Sequence, residues 1–417
     1  ESIYLAPTDP NELKHIISNI APKKSSGFDN ISNLLIKKIS QSILIPLSIA
    51  INKSIISGEV PDELKLAKVI PVYKSKDSRN FTNYRPISLL PNLSKILERV
   101  IHKRLYTYIT EKQLLYNSQY GFRSNYSTNK AITELMANIL TGFDEKKYTL
   151  ALFLDLSKAF DTIDHKILLK KLDYYGIRGV ALNWIESYLK NRKQFVHYKG
   201  VNSSVKNVTC GVPQGSVLGP LLFTIYVNDL HVAMKHSKCI LFADDTTIYR
   251  TDNDILRVYR LVNRDLMQAT HWFWANKLSL NATKTHYILF HNEYLKKPEV
   301  LPKIYIADSE INCVDQVVFL GITLDSNLHW GPQIKTIEGK MSSALYILHT
   351  VRNLLPSNLL RTLYYSLIYS KFQYGIIHWG QKSTYAYKLD RILSLQNKAV
   401  CIINKSKQTR NVEPLYK

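Results

Sequence analysis

Cysteine and long apolar segments are both scarce in this sequence. Its four cysteines, Cys210, Cys239, Cys313 and Cys401, are widely separated along the 417-residue chain. This spacing argues against a disulfide-rich scaffold and against a cysteine-based zinc site, and it suits a reducing compartment. The longest apolar runs, such as Ile43 to Ile51, have about ten residues or fewer, whereas a membrane-spanning helix needs about twenty. The sequence also contains no Gly-x-x-x-x-Gly-Lys phosphate-binding loop.

Acidic residues are few compared with basic ones. The chain has 33 Asp and Glu against 55 Lys and Arg, which gives a formal net charge of +22. Apolar residues make up 45% of the chain, as expected for a globular protein. The excess positive charge therefore indicates a polyanionic partner, most often nucleic acid, and the alternative is an ordinary solvated surface. The segment from Trp330 to Lys417 has 13 basic and 3 acidic residues and a helical pattern, which suits contact with a nucleic-acid backbone.

The spacing of apolar residues predicts alternating strands and helices in the middle of the chain. Upstream, it predicts helices at 11–20, 34–51 and 94–110, the last with Ser94 as N-cap, and a strand at 69–73. From residue 148 onward, strands are predicted at 148–154, 194–198, 239–243 and 246–249, and helices at 164–176, 180–189, 217–230 and 254–276.

Three aspartates lie where strands are predicted to end. Asp155 follows the apolar strand 148–154, and Asp244 and Asp245 lie at the predicted hairpin tip. A bare carboxylate is costly at a half-buried strand end, and binding a hard cation such as Mg²⁺ offsets that cost. Neighbouring strands would let these carboxylates hold two ions, one activating an attacking oxygen and one stabilising a leaving oxygen. The alternatives are an ordinary Asp-Asp turn and an N-cap role for Asp155.

Two further segments suggest contact with a nucleotide or a nucleic acid. Pro213, Gln214 and Gly215 form a tight loop that leads into a helix, where backbone can approach a ligand closely. The alternative is a simple turn with Ser216 as N-cap. A basic cluster follows the strand 69–73 and suits phosphate oxygens, although for any one of its members a solvated surface charge is the favoured alternative. Its members are Lys74, Lys76, Arg79 and Arg85.

The order of these segments resembles the reverse transcriptases. Phe153–Asp161 is similar to their first catalytic motif, Gly211–Ser216 to the second and Phe242–Asp245 to the third. The residues in these motifs are most similar to those of enzymes from non-long-terminal-repeat retrotransposons, the LINE or jockey-like elements. Further segments similar to that group are Asn83–Leu89, Gln119–Arg123, Asn281–Thr285 and Phe319–Gly321. The similarity covers about residues 25–325, with a looser match beyond, and we expect a fragment that lacks the endonuclease domain.

The resemblance implies an α+β right-hand polymerase. Residues 1–145 would form an N-terminal extension and the fingers. Residues 146–325 would form a palm with an antiparallel sheet and a ferredoxin-like core, and residues 326–417 a basic helical thumb. The implied activity is RNA-directed DNA polymerisation, with template RNA, primer or target DNA and deoxynucleoside triphosphates as partners, and no membrane. The implied location is intracellular, in the nucleus and cytoplasm.

The resemblance also assigns roles in catalysis. Two Mg²⁺ ions, with Mn²⁺ as a substitute, would be bound by Asp155, Asp244, Asp245 and the backbone carbonyl of Leu156. Lys284 would protonate the leaving pyrophosphate, and its alternative is a surface charge.

Further residues would bind the substrates. Phe160 would exclude a ribose 2′-hydroxyl, with a core aromatic as the alternative. Arg85 would hold the triphosphate, with Lys76 as a helper. The residues assigned to the nucleotide and template pocket are Gln214 and Gly215, and those assigned to gripping the primer end are Phe319, Leu320 and Gly321.

Two other functions stay open at this point. The first is a degenerate or domesticated protein that binds RNA without polymerising, although all three carboxylates are retained. The second is another type of reverse transcriptase, such as an intron maturase or a telomerase-type enzyme. The residues of the motifs Asn83–Leu89 and Phe242–Asp245 argue against this second alternative.

Overall fold

The structure is a computed structural model that describes residues 2–74, 77–380 and 386–406. Its helices are α1 Pro10–Ser18, α2 Asn33–Lys38, α3 Ser40–Ser57, α4 Asn92–Glu111, α5 Thr128–Asp144, α6 His165–Tyr174, α7 Val180–Leu189, α8 Gly219–Val227, α9 Ile255–Ala275, α10 Gly331–Val351, α11 Ser357–Tyr364, α12 Ser370–Gln373, α13 Ile376–Trp379 and α14 Ala386–Ile403. Its strands are β1 Leu66–Tyr73, β2 Tyr84–Leu89, β3 Tyr148–Leu154, β4 Lys193–Tyr198, β5 Val201–Asn202, β6 Lys206–Asn207, β7 Lys238–Phe242, β8 Asp245–Asp252, β9 His286–Phe290, β10 Ile304–Ile306, β11 Ser309–Cys313, β12 Gln316–Phe319 and β13 Ile322–Asp325.

The central sheet has six strands in the order β10-β11-β9-β3-β8-β7. Strand β3 lies in the middle and pairs antiparallel with β8 on one side and β9 on the other. Its residues are almost all buried because both faces of the sheet are covered. A second sheet has the order β2-β1-β4-β5, with β6 also paired to β4, and β12 and β13 form a separate hairpin.

Two hydrophobic cores lie on opposite faces of the central sheet. On one face, α9 packs against β3 and β8 and joins a core that includes α4, α7 and α8. On the other face, α5 packs against β3, β7 and β8 and shares a core with β12, β13 and α10. Helix α8 is buried all round except near Pro220, which explains why its sequence is apolar on every side. The sheet is therefore a rigid support for groups at the ends of its strands.

Several elements confirm the predictions from the apolar pattern. Strand β3 and helix α7 have the predicted bounds. The Asp164 carboxylate accepts a hydrogen bond from the Ile167 N–H at 3.0 Å and caps α6. Beyond Trp330 the described residues are largely helical. Among the described residues, no helix is both long and apolar enough to cross a bilayer.

Three local predictions were wrong. The helix predicted at 34–51 is two helices separated at Ile39, and the second continues to Ser57, where Gly58 ends it in a left-handed conformation (φ +69°). Helix α4 begins two residues before Ser94, directly after Pro91, and the buried Ser94 hydroxyl donates to Glu98 instead (3.3 Å). The shorter α8 starts at Gly219.

The predicted division at residues 145 and 325 stays a prediction. Strand pairing crosses its first boundary, because β4 pairs in parallel with β1.

Candidate active site

The central sheet brings the three predicted aspartates to one end of β3. In the β3–β8 register, Leu154 pairs with Thr246, so one further step puts Asp155 opposite Asp245. The turn between β7 and β8 consists of Ala243 and Asp244, and Ala243 has a φ of +55°. Asp245 therefore belongs to β8, and only Asp244 of the predicted pair lies in the turn. The two strand ends are adjacent, as the metal-site hypothesis requires.

The charges of Asp155 and Asp244 act unfavourably on Asp245. Asp244 and Asp245 reach solvent, and the Asp155 side chain is 40% exposed. Even so, partial desolvation by the surrounding protein, together with the negative charges of Asp244 and Asp155, raises the pKa of Asp245 to about 6. The end of β3 thus concentrates negative charge that a cation would neutralise.

The backbone around Asp155 is held by the segment that precedes β9. The Asn281 N–H donates to the Asp155 carbonyl at 2.9 Å, and the Ser157 N–H donates to the Ser279 carbonyl at 2.9 Å. In antiparallel pairing, the residue between these two bonds turns its own carbonyl to the opposite side of the strand. The pairing pattern therefore directs the Leu156 carbonyl toward the side of β3 that β8 occupies, and its role as a metal ligand stays a prediction.

Lys284 lies beside the carboxylates. Its Nζ is 3.6 Å from an Asp155 carboxylate oxygen, and its side chain remains 61% exposed. The neighbouring Thr285 accepts a hydrogen bond from the Asp155 N–H through its hydroxyl (3.3 Å). The predicted motif Asn281–Thr285 thus contacts the site through both backbone and side chains, and the role of Lys284 as an acid stays a prediction.

The donor set fits magnesium in an open site. Within residues 2–74, 77–380 and 386–406, no three His, Cys, Asp or Glu side chains are gathered closely enough to hold a metal ion by themselves. Mg²⁺ is usually bound through one or two carboxylates together with water and substrate phosphates, rather than in a closed protein cage. Carboxylates and a carbonyl at an accessible strand end are the oxygen donors that such binding needs.

A segment before α5 completes the sheet edge beside the β7–β8 hairpin. The Tyr120 N–H donates to the Leu241 carbonyl (2.7 Å), and the Leu241 N–H donates to the Ser118 carbonyl (3.0 Å). Gly121 then packs directly on the turn: a Cβ there would lie 2.2 Å from the Ala243 nitrogen. The motif Gln119–Arg123 therefore supports the turn that carries Asp244.

Glu134 of α5 links this segment to β8. Its carboxylate accepts hydrogen bonds from the hydroxyls of Ser118 (2.9 Å), Tyr120 and Tyr249 (3.2 Å). Desolvation and these contacts raise the pKa of both tyrosines, so they remain neutral donors at ordinary pH. The network fixes the edge segment, residues 118–120, relative to β8, the strand that begins with Asp245.

Phe160, the residue predicted to exclude a ribose 2′-hydroxyl, lies between two other aromatic rings. It stacks on Phe223 of α8 with ring centroids 4.7 Å apart, and Phe122 contacts it edge-on at 6.1 Å. The ring is half-buried. It therefore packs on the core while keeping an accessible part, so both of its predicted roles stay open.

The Pro213-Gln214-Gly215 loop contacts the strand that carries Arg85. The Ser88 N–H donates to the Gln214 carbonyl at 2.8 Å. Gly215 has a φ of +121°, and a Cβ there would lie 2.7 Å from the Ser88 carbonyl oxygen. Arg85 is exposed on β2, three residues before Ser88. Lys74 and Arg79 are also exposed, and Lys76 lies outside the described residues.

Of the predicted primer-gripping residues, Phe319 ends β12, and Leu320 and Gly321 form the tight turn between β12 and β13. Leu320 and Gly321 both have positive φ (+45° and +86°). Phe319 is buried, with its ring centroid 5.4 Å from that of Phe153, two residues before Asp155. The Tyr374 hydroxyl donates to the Leu320 carbonyl at 2.6 Å, which ties the turn to the C-terminal helices.

Sequence reasoning missed a buried carboxylate beneath the Pro213-Gln214-Gly215 loop. Glu98 of α4 is 1% exposed and accepts hydrogen bonds from the N–H groups of Val217 (2.7 Å) and Leu218 (3.1 Å) just before α8. Burial raises its pKa, and the buried Arg192 acts in the opposite direction. The only sequence signal was an acidic residue on the apolar face of α4.

Comparison with known proteins identifies the family to which this chain belongs. The family profile described as "Reverse transcriptase (RNA-dependent DNA polymerase)" matches residues 73–324. Among curated proteins, the chain is 31% identical to the "Probable RNA-directed DNA polymerase from transposon BS" of Drosophila melanogaster, over 96% of this chain and 45% of that protein. It is 29% identical to the "Probable RNA-directed DNA polymerase from transposon X-element" of Drosophila melanogaster, over 96% and 44%.

A third relative has the same printed activity. The "RNA-directed DNA polymerase from mobile element jockey" of Drosophila melanogaster is 29% identical over 81% of this chain and 37% of that protein. The chain thus spans less than half the length of these relatives. The resemblance to enzymes of non-long-terminal-repeat elements is confirmed, and the chain belongs to the reverse transcriptase (RNA-dependent DNA polymerase) family.

Proposed function

We propose that this chain is the polymerase part of a retrotransposon reverse transcriptase. It would join deoxynucleoside triphosphates to a primer 3′-hydroxyl on an RNA template and release pyrophosphate. The observation that carries the proposal is the register that puts Asp155 opposite Asp245, with Asp244 in the adjoining turn. Family membership supplies the reaction class.

The acidic end of β3 is the proposed metal centre. Asp155, Asp244, Asp245 and the Leu156 carbonyl would hold two Mg²⁺ ions, or Mn²⁺ in their place. Bound ions supply charge neutralisation at the transferred phosphoryl group and activation of the attacking hydroxyl. The protein's own contribution is to keep these oxygen donors on rigid strand ends, so that little reorganisation is needed during the reaction.

Basic and aromatic residues around this centre would position the nucleotide. Arg85, with its planar fork of donors, would bind the triphosphate, and Lys76 would assist it. Gln214 and Gly215 would line the pocket, while the accessible part of Phe160 would exclude a 2′-hydroxyl. Lys284, held beside Asp155, would donate a proton to the pyrophosphate as it leaves.

The C-terminal part would hold the nucleic acid. Phe319, Leu320 and Gly321 would contact the primer end from a turn that packs behind β3. The proposed right hand consists of fingers within 1–145, a palm with a ferredoxin-like core at 146–325 and a basic thumb at 326–417. Template RNA and primer or target DNA are the proposed partners.

A primer-extension assay on an RNA template with Mg²⁺ and deoxynucleotides tests the proposal. We expect the wild-type chain to extend the primer and Asp244→Asn to lose at least ~10²-fold in rate, because a carboxylate at the reacting centre is removed. Asp173→Asn is the matched control, since Asp173 is an exposed surface residue paired with Arg178. Equal rates for wild type and Asp244→Asn would contradict the metal-ligand role.

The same assay separates the alternative function. A degenerate RNA-binding protein would bind the template–primer as tightly as the proposed enzyme but incorporate no nucleotide with either Mg²⁺ or Mn²⁺. That result, obtained with a preparation that melts cooperatively, would replace the polymerase proposal with the binding one.

A further inference from the structure

Asp161 and Gln214 form a side-chain pair to which none of the roles above assigns a purpose. The Gln214 amide nitrogen lies 3.1 Å from both carboxylate oxygens of Asp161. An ionised carboxylate only accepts hydrogen bonds, so the amide must present its NH₂ group to Asp161. The amide oxygen of Gln214 is consequently turned away from Asp161, and the orientation of this side chain is fixed by its partner.

The backbones on either side of this pair are joined as well. The Val212 N–H donates to the Phe160 carbonyl at 2.9 Å, and the Gly211 N–H donates to the Ile163 carbonyl at 2.8 Å. Gly211 has a φ of +81°, and a Cβ there would lie 2.6 Å from the Asp161 carbonyl oxygen. The loop that carries Phe160 and the loop that carries Gln214 are therefore packed too closely to move independently.

The pair also lies next to the ring that is proposed to select the sugar. Asp161 directly follows Phe160, whose ring stacks on Phe223 just downstream of the Gln214 loop. Burial raises the pKa of Asp161, and the hydrogen bond from Gln214 opposes that effect. The carboxylate and the amide thus stabilise each other at the junction of the two loops.

We propose that Asp161 is a positioning residue for sugar selection: by holding the Gln214 amide in one orientation it keeps the Phe160 ring and the Gln214 loop in register around the incoming nucleotide. This inference rests on the proposed function. It assigns Asp161 no contact with the reacting atoms. The role of Asp161 therefore differs from that of Asp155, although both lie in the motif Phe153–Asp161.

Steady-state incorporation of matched deoxy- and ribonucleotides tests the inference. In Asp161→Asn, which has the same shape, the amide at 214 can bind in either orientation. We expect the preference for deoxynucleotides, measured as a ratio of kcat/KM values, to fall about tenfold, the effect of losing one charge-assisted hydrogen bond. The kcat for deoxynucleotides should stay within about threefold, because the carboxylates at β3 are untouched.

Two comparison variants make the result specific. A purely structural role would lower the rates for both sugars alike and leave their ratio unchanged. Asp161→Glu, which keeps the charge, should retain more of the ratio than Asp161→Asn. The surface control Asp173→Asn should match wild type. An active Asp161→Asn variant with the wild-type ratio would overturn the inference.

A measurement without catalysis distinguishes failure of this inference from failure of the proposed function. In protein labelled with ¹⁵N-glutamine, the side-chain NH₂ signal of Gln214 is identified by its loss in Gln214→Ala. We expect a dispersed, slowly exchanging pair in wild type and an averaged pair in Asp161→Asn. An identical signal in both proteins would refute the positioning role, whether or not the wild type polymerises.

Discussion

Replacing Gly121 with alanine should damage catalysis from outside the carboxylate cluster. The added Cβ would lie 2.2 Å from the Ala243 nitrogen and 3.0 Å from the Phe242 carbonyl carbon, whereas ordinary contacts begin at 3.4 Å. The neighbouring atoms are backbone, so no flexible side chain can move aside. Either the turn bearing Asp244 or the edge segment must shift by about 1 Å to relieve the overlap.

The size of the effect follows from that shift. Overpacking of this kind costs about 1–3 kcal/mol of stability, and a displacement of about 1 Å at reacting groups can cost ~10²-fold in rate. We therefore expect Gly121→Ala to keep its fold, melt several degrees earlier and lose about 10²-fold in kcat for primer extension.

The matched control is Gly339→Ala in α10. No atom lies within 4 Å of the Cβ position there, so the substitution should raise stability by about 0.5–1 kcal/mol, as alanine does within helices. Primer extension by this variant should equal wild type. If Gly121→Ala polymerised at the wild-type rate, the packing of Gly121 would not be needed to position the turn that carries Asp244.

Three further predictions concern stability, each measured by urea denaturation. Glu12→Gln should cost about 2 kcal/mol at pH 7, because hydrogen bonds from Arg104 lower the pKa of Glu12 to about 2. The difference in unfolding free energy from wild type should shrink as the pH falls from about 5 toward 3. A difference that stays constant over this range would contradict the prediction. Glu98→Ala should cost about 2–4 kcal/mol, since the N–H groups of Val217 and of the buried Leu218 lose their acceptor. Glu98→Gln should cost clearly less, and equal losses would show that hydrogen bonding is not the cause. Asp245→Asn, in EDTA at pH 7.5, should be about 1 kcal/mol more stable than wild type. It removes a charge that partial desolvation and the neighbouring Asp244 and Asp155 make unfavourable, and lower stability would contradict this account.

The sequence predicted elements whose signals are local. The continuous apolar run of β3 and the pattern of α7 each lie within a few residues, so their bounds could be predicted. The hairpin of β7 and β8 was also predictable, although its turn is shifted by one residue because Ala243 adopts positive φ. The proximity of Asp155 to the hairpin required a guess that two distant strands are neighbours, and the resemblance provided it.

The rest depends on contacts between distant segments, which no local pattern encodes. The edge segment at 118–120 pairs with Leu241 across some 120 residues of chain, and its own sequence has no strand-like alternation. Glu98 contacts Val217 over a similar separation. A short segment or a single side chain acquires such a role only when folding supplies its partner.

The supports of the site explain how its unfavourable charges can be tolerated. Besides desolvation, the charges of Asp244 and Asp155 raise the pKa of Asp245, and this repulsion alone would push the end of β3 and the turn of β7 and β8 apart. Backbone hydrogen bonds hold both sides: Asn281 binds Asp155, and the edge segment binds Leu241. Because these bonds do not involve the carboxylates, the protein keeps its acidic groups together while leaving their oxygens available to ligands. The charges at the strand ends thus lower the stability of the fold, and hydrogen bonds in the flanking segments offset that loss. This pattern is expected where function requires an unfavourable arrangement.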